Sequence, residues 1–151
     1  MSLIRLLPAW LHAIADYAVG ASLILLALIV GGSAGAIGTG VVVGVTVLAV
    51  SMLTNYPLGV VKVLPFTVHS AGDYLAAALL LVAPFLLHFN HSDSGLTALY
   101  IVAGIAVTAV SLITNYQYSD VNEAAAVVRI ETPAAAARPR RARPLAADRK
   151  S

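Results

Sequence analysis

Between Arg5 and Arg129 the chain carries a single basic residue, Lys62, and before Asp120 only three acids, Asp16, Asp73 and Asp93. Four apolar stretches fill that interval. A water-soluble domain carries about 25% charged residues; this chain has 11%, with 60% of its side chains hydrophobic. Too little polar surface exists to cover a globule in water, so a lipid bilayer is the expected solvent. The basic residues gather in the last segment, which places the positive charge on a tail and argues against a nucleic-acid-binding face. With no cysteine, a disulfide framework, a thiolate metal site and a cysteine nucleophile are all excluded.

A bilayer core needs about 20 mainly apolar residues per helix at about 1.5 Å of rise each. Four spans meet that need, at about 10–30, 37–56, 66–89 and 96–116. The connections GGSAGA, Pro57 to Pro65 and HSDSG are short, so successive helices should pack antiparallel. Arg5, Lys62, Arg129 and the tail arginines fall on one side of such a bundle, and the other two loops contain no Lys or Arg. The positive-inside bias then predicts both termini in the cytoplasm and a bacterial cytoplasmic membrane location. Arg5, the first apolar run and Ala34-Gly35-Ala36 imitate a secretory signal. Asp16 inside that run opposes cleavage, as does its place in an internal repeat.

The repeat is carried by polar residues, which chance similarity between apolar helices does not supply. Leu7-Pro8, His12, Asp16 and Tyr17 match Leu64-Pro65, His69, Asp73 and Tyr74 in a shared Leu-Pro-x-x-x-His-x-x-x-Asp-Tyr pattern. Gly44, Ser51 and Thr54-Asn55-Tyr56 match Gly104, Ser111 and Thr114-Asn115-Tyr116. The repeats cover 7–56 and 64–116, two spans each, so both hairpins enter the membrane in the same direction. The expected fold is all-α, an integral membrane four-helix bundle of two parallel-repeat helical hairpins. The transmembrane domain is assigned to residues 1–118 and a mostly disordered cytoplasmic tail to 119–151.

The duplicated His-x-x-x-Asp-Tyr hairpins, the Thr-Asn-Tyr helix ends and Ala83-Pro84-Phe85 resemble the SPW-repeat family of small bacterial four-helix membrane proteins, over residues 7–116. The Ser-Pro-Trp that gives that family its name is Ala-Pro-Phe in the second repeat and missing from the first. The resemblance implies the architecture and carries no site residue.

His12 and Asp16 are four residues apart, as are His69 and Asp73, so each pair shares a helix face. Ionisable groups inside a span are costly and mark a functional-site hypothesis. The leading expectation is a polar clamp that fixes helix register. In it each Asp takes hydrogen bonds from its His or from Asn55-Tyr56 and Asn115-Tyr116, with Tyr17 and Tyr74 beside the acids. Alternatives are a divalent metal held by the two His and two Asp, a b-type haem on His12 and His69, and a proton path through the acids. The path has no deeper carboxylate to continue it. His88, His91 and Asp93 have loose ligand-like spacing that a wetted loop explains. Trp10 and the tyrosines near helix ends read as an interfacial belt, and Pro84 as the site of a kink in the third helix. Gly40 and Gly44 form a small-xxx-small step suited to helix contact.

In the tail, residues 120–132 could form a short helix, and Arg138, Arg140, Arg141 and Arg143 form a cluster suited to anionic headgroups. No nucleophile–base pair, phosphate loop or cofactor motif appears, so no cofactor is predicted and an enzyme is disfavoured without being ruled out. The expected function is a non-catalytic structural or accessory subunit, in a homo-oligomer or a larger membrane complex. A haem- or metal-binding redox protein and a small permeation protein are the alternatives.

Overall fold

A computed structural model describes residues 6–116. Four α-helices follow one another: α1 (Ala9–Val30), α2 (Ala34–Leu53), α3 (Phe66–Leu86) and α4 (Ser94–Ile113). They pack as an all-α four-helix bundle. All four are long and apolar enough to cross a membrane, by length and composition. The assigned tail, its short helix and its arginine cluster lie outside the described residues.

The starts of α1 and α3 are set by proline. Pro8 and Pro65 occupy the N-cap positions, where a missing N–H costs the helix nothing. Their carbonyls accept the first helical bonds, from His12 N at 3.2 Å and His69 N at 3.1 Å. Each histidine is therefore fixed one turn inside its helix. α2 begins at Ser33, whose hydroxyl accepts from Ala36 N at 3.3 Å, an ordinary serine cap.

The helices are shorter at their ends than the apolar pattern suggests. α2 stops at Leu53 and α4 at Ile113, three residues before the tyrosines that were expected to close them. The chain there turns extended. Thr54 pairs with Leu64 and Thr114 with Leu7 in two isolated parallel β-bridges. Backbone bonds fasten both junctions, including Leu64 N to Leu53 O (2.9 Å) and Leu7 N to Ile113 O (2.9 Å). α3 ends at Leu86, two residues after Pro84. The Pro84 carbonyl then takes the N–H groups of Phe89 and Asn90 at 3.0 and 3.1 Å, and His88 turns through a positive φ of 58°. α4 starts at Ser94, two residues earlier than its apolar run.

Inside the bundle, Leu23, Ala27, Val43, Leu80, Leu96 and Tyr100 form the main apolar cluster. Within each hairpin the helices meet at glycine. A Cβ on Gly44 would lie 2.7 Å from Gly20 O, and one on Gly104 would lie 3.0 Å from Ala77 O. Gly40 is equally tight, against Ala27 and Tyr100. Large apolar side chains such as Leu25, Ile29, Val42, Val102 and Ile105 face outward. In lipid, burying such side chains gains little, because hydrocarbon tails are as apolar as leucine. Close packing and buried polar contacts must hold the helices together. Those polar contacts concentrate at one end of the bundle.

A candidate metal centre

His12, Asp16, His69 and Asp73 meet between α1 and α3, all at most 8% exposed. The two Nε2 atoms are 3.4 Å apart. His12 Nε2 lies 3.4 Å from Asp16 Oδ1 and 3.3 Å from Asp73 Oδ2. His69 Nε2 lies 3.1 Å from Asp16 Oδ2 and 3.1 Å from Asp73 Oδ1. Each carboxylate thus turns Oδ1 to the histidine of its own helix and Oδ2 to the histidine of the other. One ligand atom from each residue can be chosen so that all four lie within 4.8 Å of one another, a grouping able to hold a metal ion.

The far side of each imidazole decides its protonation. Thr54 Oγ1 donates its one proton to Val50 O at 2.7 Å, and Thr114 Oγ1 donates its own to Val110 O at 2.7 Å. With the proton committed, each hydroxyl can only accept from the ring beside it. His69 Nδ1–H therefore donates to Thr54 (2.8 Å) and His12 Nδ1–H to Thr114 (2.9 Å). In a neutral ring that leaves Nε2 as a bare lone pair. Two bare lone pairs and two carboxylates facing one another across 3.1–3.4 Å repel. A cation, or protons shared between the rings and the acids, would relieve that repulsion.

The carboxylates are oriented with equal care. Asp16 Oδ2 accepts from Ser51 Oγ and Tyr56 Oη, both at 3.3 Å. Asp73 Oδ2 accepts from Ser111 Oγ at 3.4 Å and Tyr116 Oη at 2.7 Å. Over the tetrad lies Phe66, fully buried. Its ring packs on His12 and His69 with centroids 5.5 and 5.8 Å away, and on Tyr116 at 4.7 Å. The aligned position in the first hairpin is Ala9, so one ring packs on both histidines.

Among the residues singled out in the sequence, the two His–Asp pairs and the tyrosines Tyr56 and Tyr116 come together. Asn55 and Asn115 donate backbone N–H groups at the junctions, to Leu64 O (2.8 Å) and Leu7 O (3.1 Å). Tyr17 donates to Leu58 O at 3.1 Å. Tyr74 is half-buried on α3. Trp10 is half exposed, whereas Tyr100 is fully buried and donates to Ala36 O at 2.6 Å. Sequence reasoning missed Ser51, Ser111, Thr54, Thr114 and Phe66 as members of the site. The signal for the four hydroxyls was present, since each matches its partner in the other hairpin.

His88, His91 and Asp93 do not assemble as ligands. Asp93 accepts from Ser33 N (3.0 Å), Ser33 Oγ (2.8 Å) and Ser92 Oγ (2.8 Å). It joins the loop after α3 to the start of α2. Those hydrogen bonds, from Ser33 first and then Ser92, hold its carboxyl below the usual carboxylate range.

Comparison with protein-family models, with curated proteins and with solved structures finds no match to this chain.

Proposed function

We propose that this protein is a membrane-embedded binder of a divalent first-row transition metal, with His12 Nε2, His69 Nε2 and the carboxylates of Asp16 and Asp73 as ligands. One observation carries the reading: Nε2 lone pairs, turned inward by the two threonines, face two carboxylates at 3.1–3.4 Å. Ligands about 2.0–2.1 Å from a tetrahedral zinc are about 3.3 Å apart, and one ligand atom from each of the four residues lies within 4.8 Å of the others, so an ion would draw the set inward. Imidazole and carboxylate together fit zinc, manganese or iron. Two carboxylates and a divalent ion sum to zero charge, which suits a low-dielectric interior. Threonine on Nδ1 and serine with tyrosine on the carboxylates are the outer partners that fix ligand orientation at metal sites.

A b-type haem fits poorly. Axial imidazoles stand on opposite faces of a planar macrocycle, whereas these rings are in direct contact with each other and with both acids.

A second reading has its own support. Each carboxylate splits its two oxygens between the histidines, an arrangement that also suits two protonated imidazoles in a charge-balanced clamp. The protein is then a structural or accessory subunit that associates with itself or a larger complex. In either case the tetrad belongs on the cytoplasmic side of a bacterial inner membrane. Lys62, in the connection at that end of the bundle, supports this orientation through the positive-inside bias.

The test is elemental analysis by mass spectrometry of protein purified from its own membrane without chelators. The metal reading expects about one metal ion per chain, as a single four-ligand site holds one. His12→Ala and His69→Ala should each lose it. Wild-type protein that stays metal-free even after incubation with zinc, manganese and ferrous iron would leave the clamp.

A further inference from the structure

The connection from α2 to α3 is apolar and faces outward, yet it is held firmly. Val60 N and Val61 N donate to Met52 O at 2.8 and 3.0 Å, and Val63 N and Leu64 N donate to Leu53 O at 2.9 Å each. Gly59 lies too close to the Thr54 carbonyl for a side chain to fit. Leu58 O accepts from Tyr17 Oη at 3.1 Å. The segment is thus pressed back onto the end of α2. Unpaired amides are costly against hydrocarbon, and these four are already paired. The side chains agree, because Val60, Val61 and Val63 are between 55% and 68% exposed. At the margin of a bilayer such side chains meet acyl chains.

One charge stands among them. Lys62 is exposed and occupies the turn between the two bonded pairs, at a positive φ of 55°. Glycine or asparagine suits such a turn better, so the backbone does not explain the choice of a base. Asp16 and Asp73 are buried in the tetrad and Asp93 lies at the other end of the bundle. Among the described residues no ion pair forms on Lys62. The pattern is also duplicated. Leu3-Ile4-Arg5-Leu6-Leu7-Pro8 runs in register with Val60-Val61-Lys62-Val63-Leu64-Pro65, a base at the same place before each hairpin's first helix. Arg5 precedes the described residues, but Leu6 N and Leu7 N donate to Ile113 O as Val63 N and Leu64 N donate to Leu53 O.

We propose that Lys62 and the valines around it bind one anionic phospholipid of the adjoining leaflet. The ammonium meets the phosphate, and the acyl chains lie against Val60, Val61 and Val63. Lysine suits the task, since its aliphatic stem crosses the apolar margin and carries a charge to headgroup level. A net negative headgroup is needed, because a zwitterionic one holds its own cation beside the phosphate. The site requires only the bilayer setting and stands with or without a metal in the tetrad.

The experiment titrates the full chain, in mild detergent, with dioleoylphosphatidylglycerol or dioleoylphosphatidylcholine, and native mass spectrometry reads the bound lipid. Phosphatidylglycerol should bind saturably and more tightly. Lys62→Gln should weaken it about fivefold, the contribution of one base at an anionic surface, with phosphatidylcholine binding unchanged. Lys62→Gly, which favours the same turn, should lose as much. Lys62→Arg, with the base of the matched position, should lose little. Excess inorganic phosphate should leave the lipid in place; displacement would make a free anion the ligand and overturn the proposal. Equal affinity for the two lipids would also overturn it. So would a phosphatidylglycerol preference that survives Lys62→Gln, which would belong to bases elsewhere in the chain. Lys62→Gly that binds like wild type would reduce the residue to a turn.

Discussion

The two ends of the bundle solve the same problem, holding two helical hairpins together, by opposite means. At the His–Asp end both hairpins contribute the same polar groups: two histidines, two acids, two threonines, two serines, two tyrosines. The groups are buried and share their partners. At the Asp93 end one carboxylate from the loop after α3 takes two bonds from Ser33 and one from Ser92, in the open. Water can replace the second arrangement when it breaks. Nothing in hydrocarbon can replace the first.

That difference sets the expected size of each perturbation. The largest belongs to the acids. Asp16→Ala or Asp73→Ala leaves two imidazoles, a serine and a tyrosine without their common acceptor, and breaking one partner of a buried ion pair costs about 3–5 kcal/mol. Reversible unfolding in mixed micelles measures this. The two variants should be similarly damaged, because each acid touches both histidines. A cost near zero for either one would mean that the tetrad is not a shared unit.

The next effect separates ligand orientation from mere packing. Thr54→Val and Thr114→Val remove the Nδ1 acceptor at nearly constant volume and should weaken metal binding by about 10–100-fold, the usual loss when an outer hydrogen-bond partner of a ligand is removed. Thr54→Ser should recover most of it. A competitive chelator titration provides the affinity, and equal affinities for Thr54→Val and Thr54→Ser would strip the hydroxyl of that role.

The smallest effect lies at the opposite end. Asp93 has a lowered folded-state pKa, so its contribution is present above the ordinary carboxylate range, near pH 4. It is lost as pH falls through the depressed value. Asp93→Asn should lower stability modestly at neutral pH and converge with wild type in acid, followed by unfolding at a series of pH values. Metal binding should not change. A gap that persisted in strong acid would place the stabilisation elsewhere.

Much of the His–Asp end was legible because ionisable residues are rare in this chain and repeat in register. His12 and His69 four residues before an acid, behind a Leu-Pro start, suffice to place both pairs on helix faces at the same end. The hydroxyls were harder to read. Serine and threonine in apolar helices commonly satisfy themselves on the carbonyl four residues back, as Thr46 and Thr108 do at 2.8 Å. Thr54 and Thr114 do so as well and still accept from a ring, and that double use shows only in three dimensions. The helix ends were overrun for a related reason. Thr-Asn-Tyr continues an amphipathic pattern, while the bridges to Leu64 and Leu7 that peel it away depend on a neighbour distant in sequence. The Asp93 end was read as a solvated loop because no pattern in HSDSG announces Ser33 as a partner.

The β-bridges at the His–Asp end carry a consequence for chain order. Leu7 lies beside Thr114 just as Leu64 lies beside Thr54, so the four helices form a topological ring in which either junction is an equivalent seam. Cutting the connection between Tyr56 and Leu64 and joining Tyr116 to Leu6 through a similar linker would give the order α3, α4, α1, α2 with the same neighbours throughout. The centre is indifferent to which hairpin comes first, and its assembly depends on two hairpins meeting rather than on the order in which they are made.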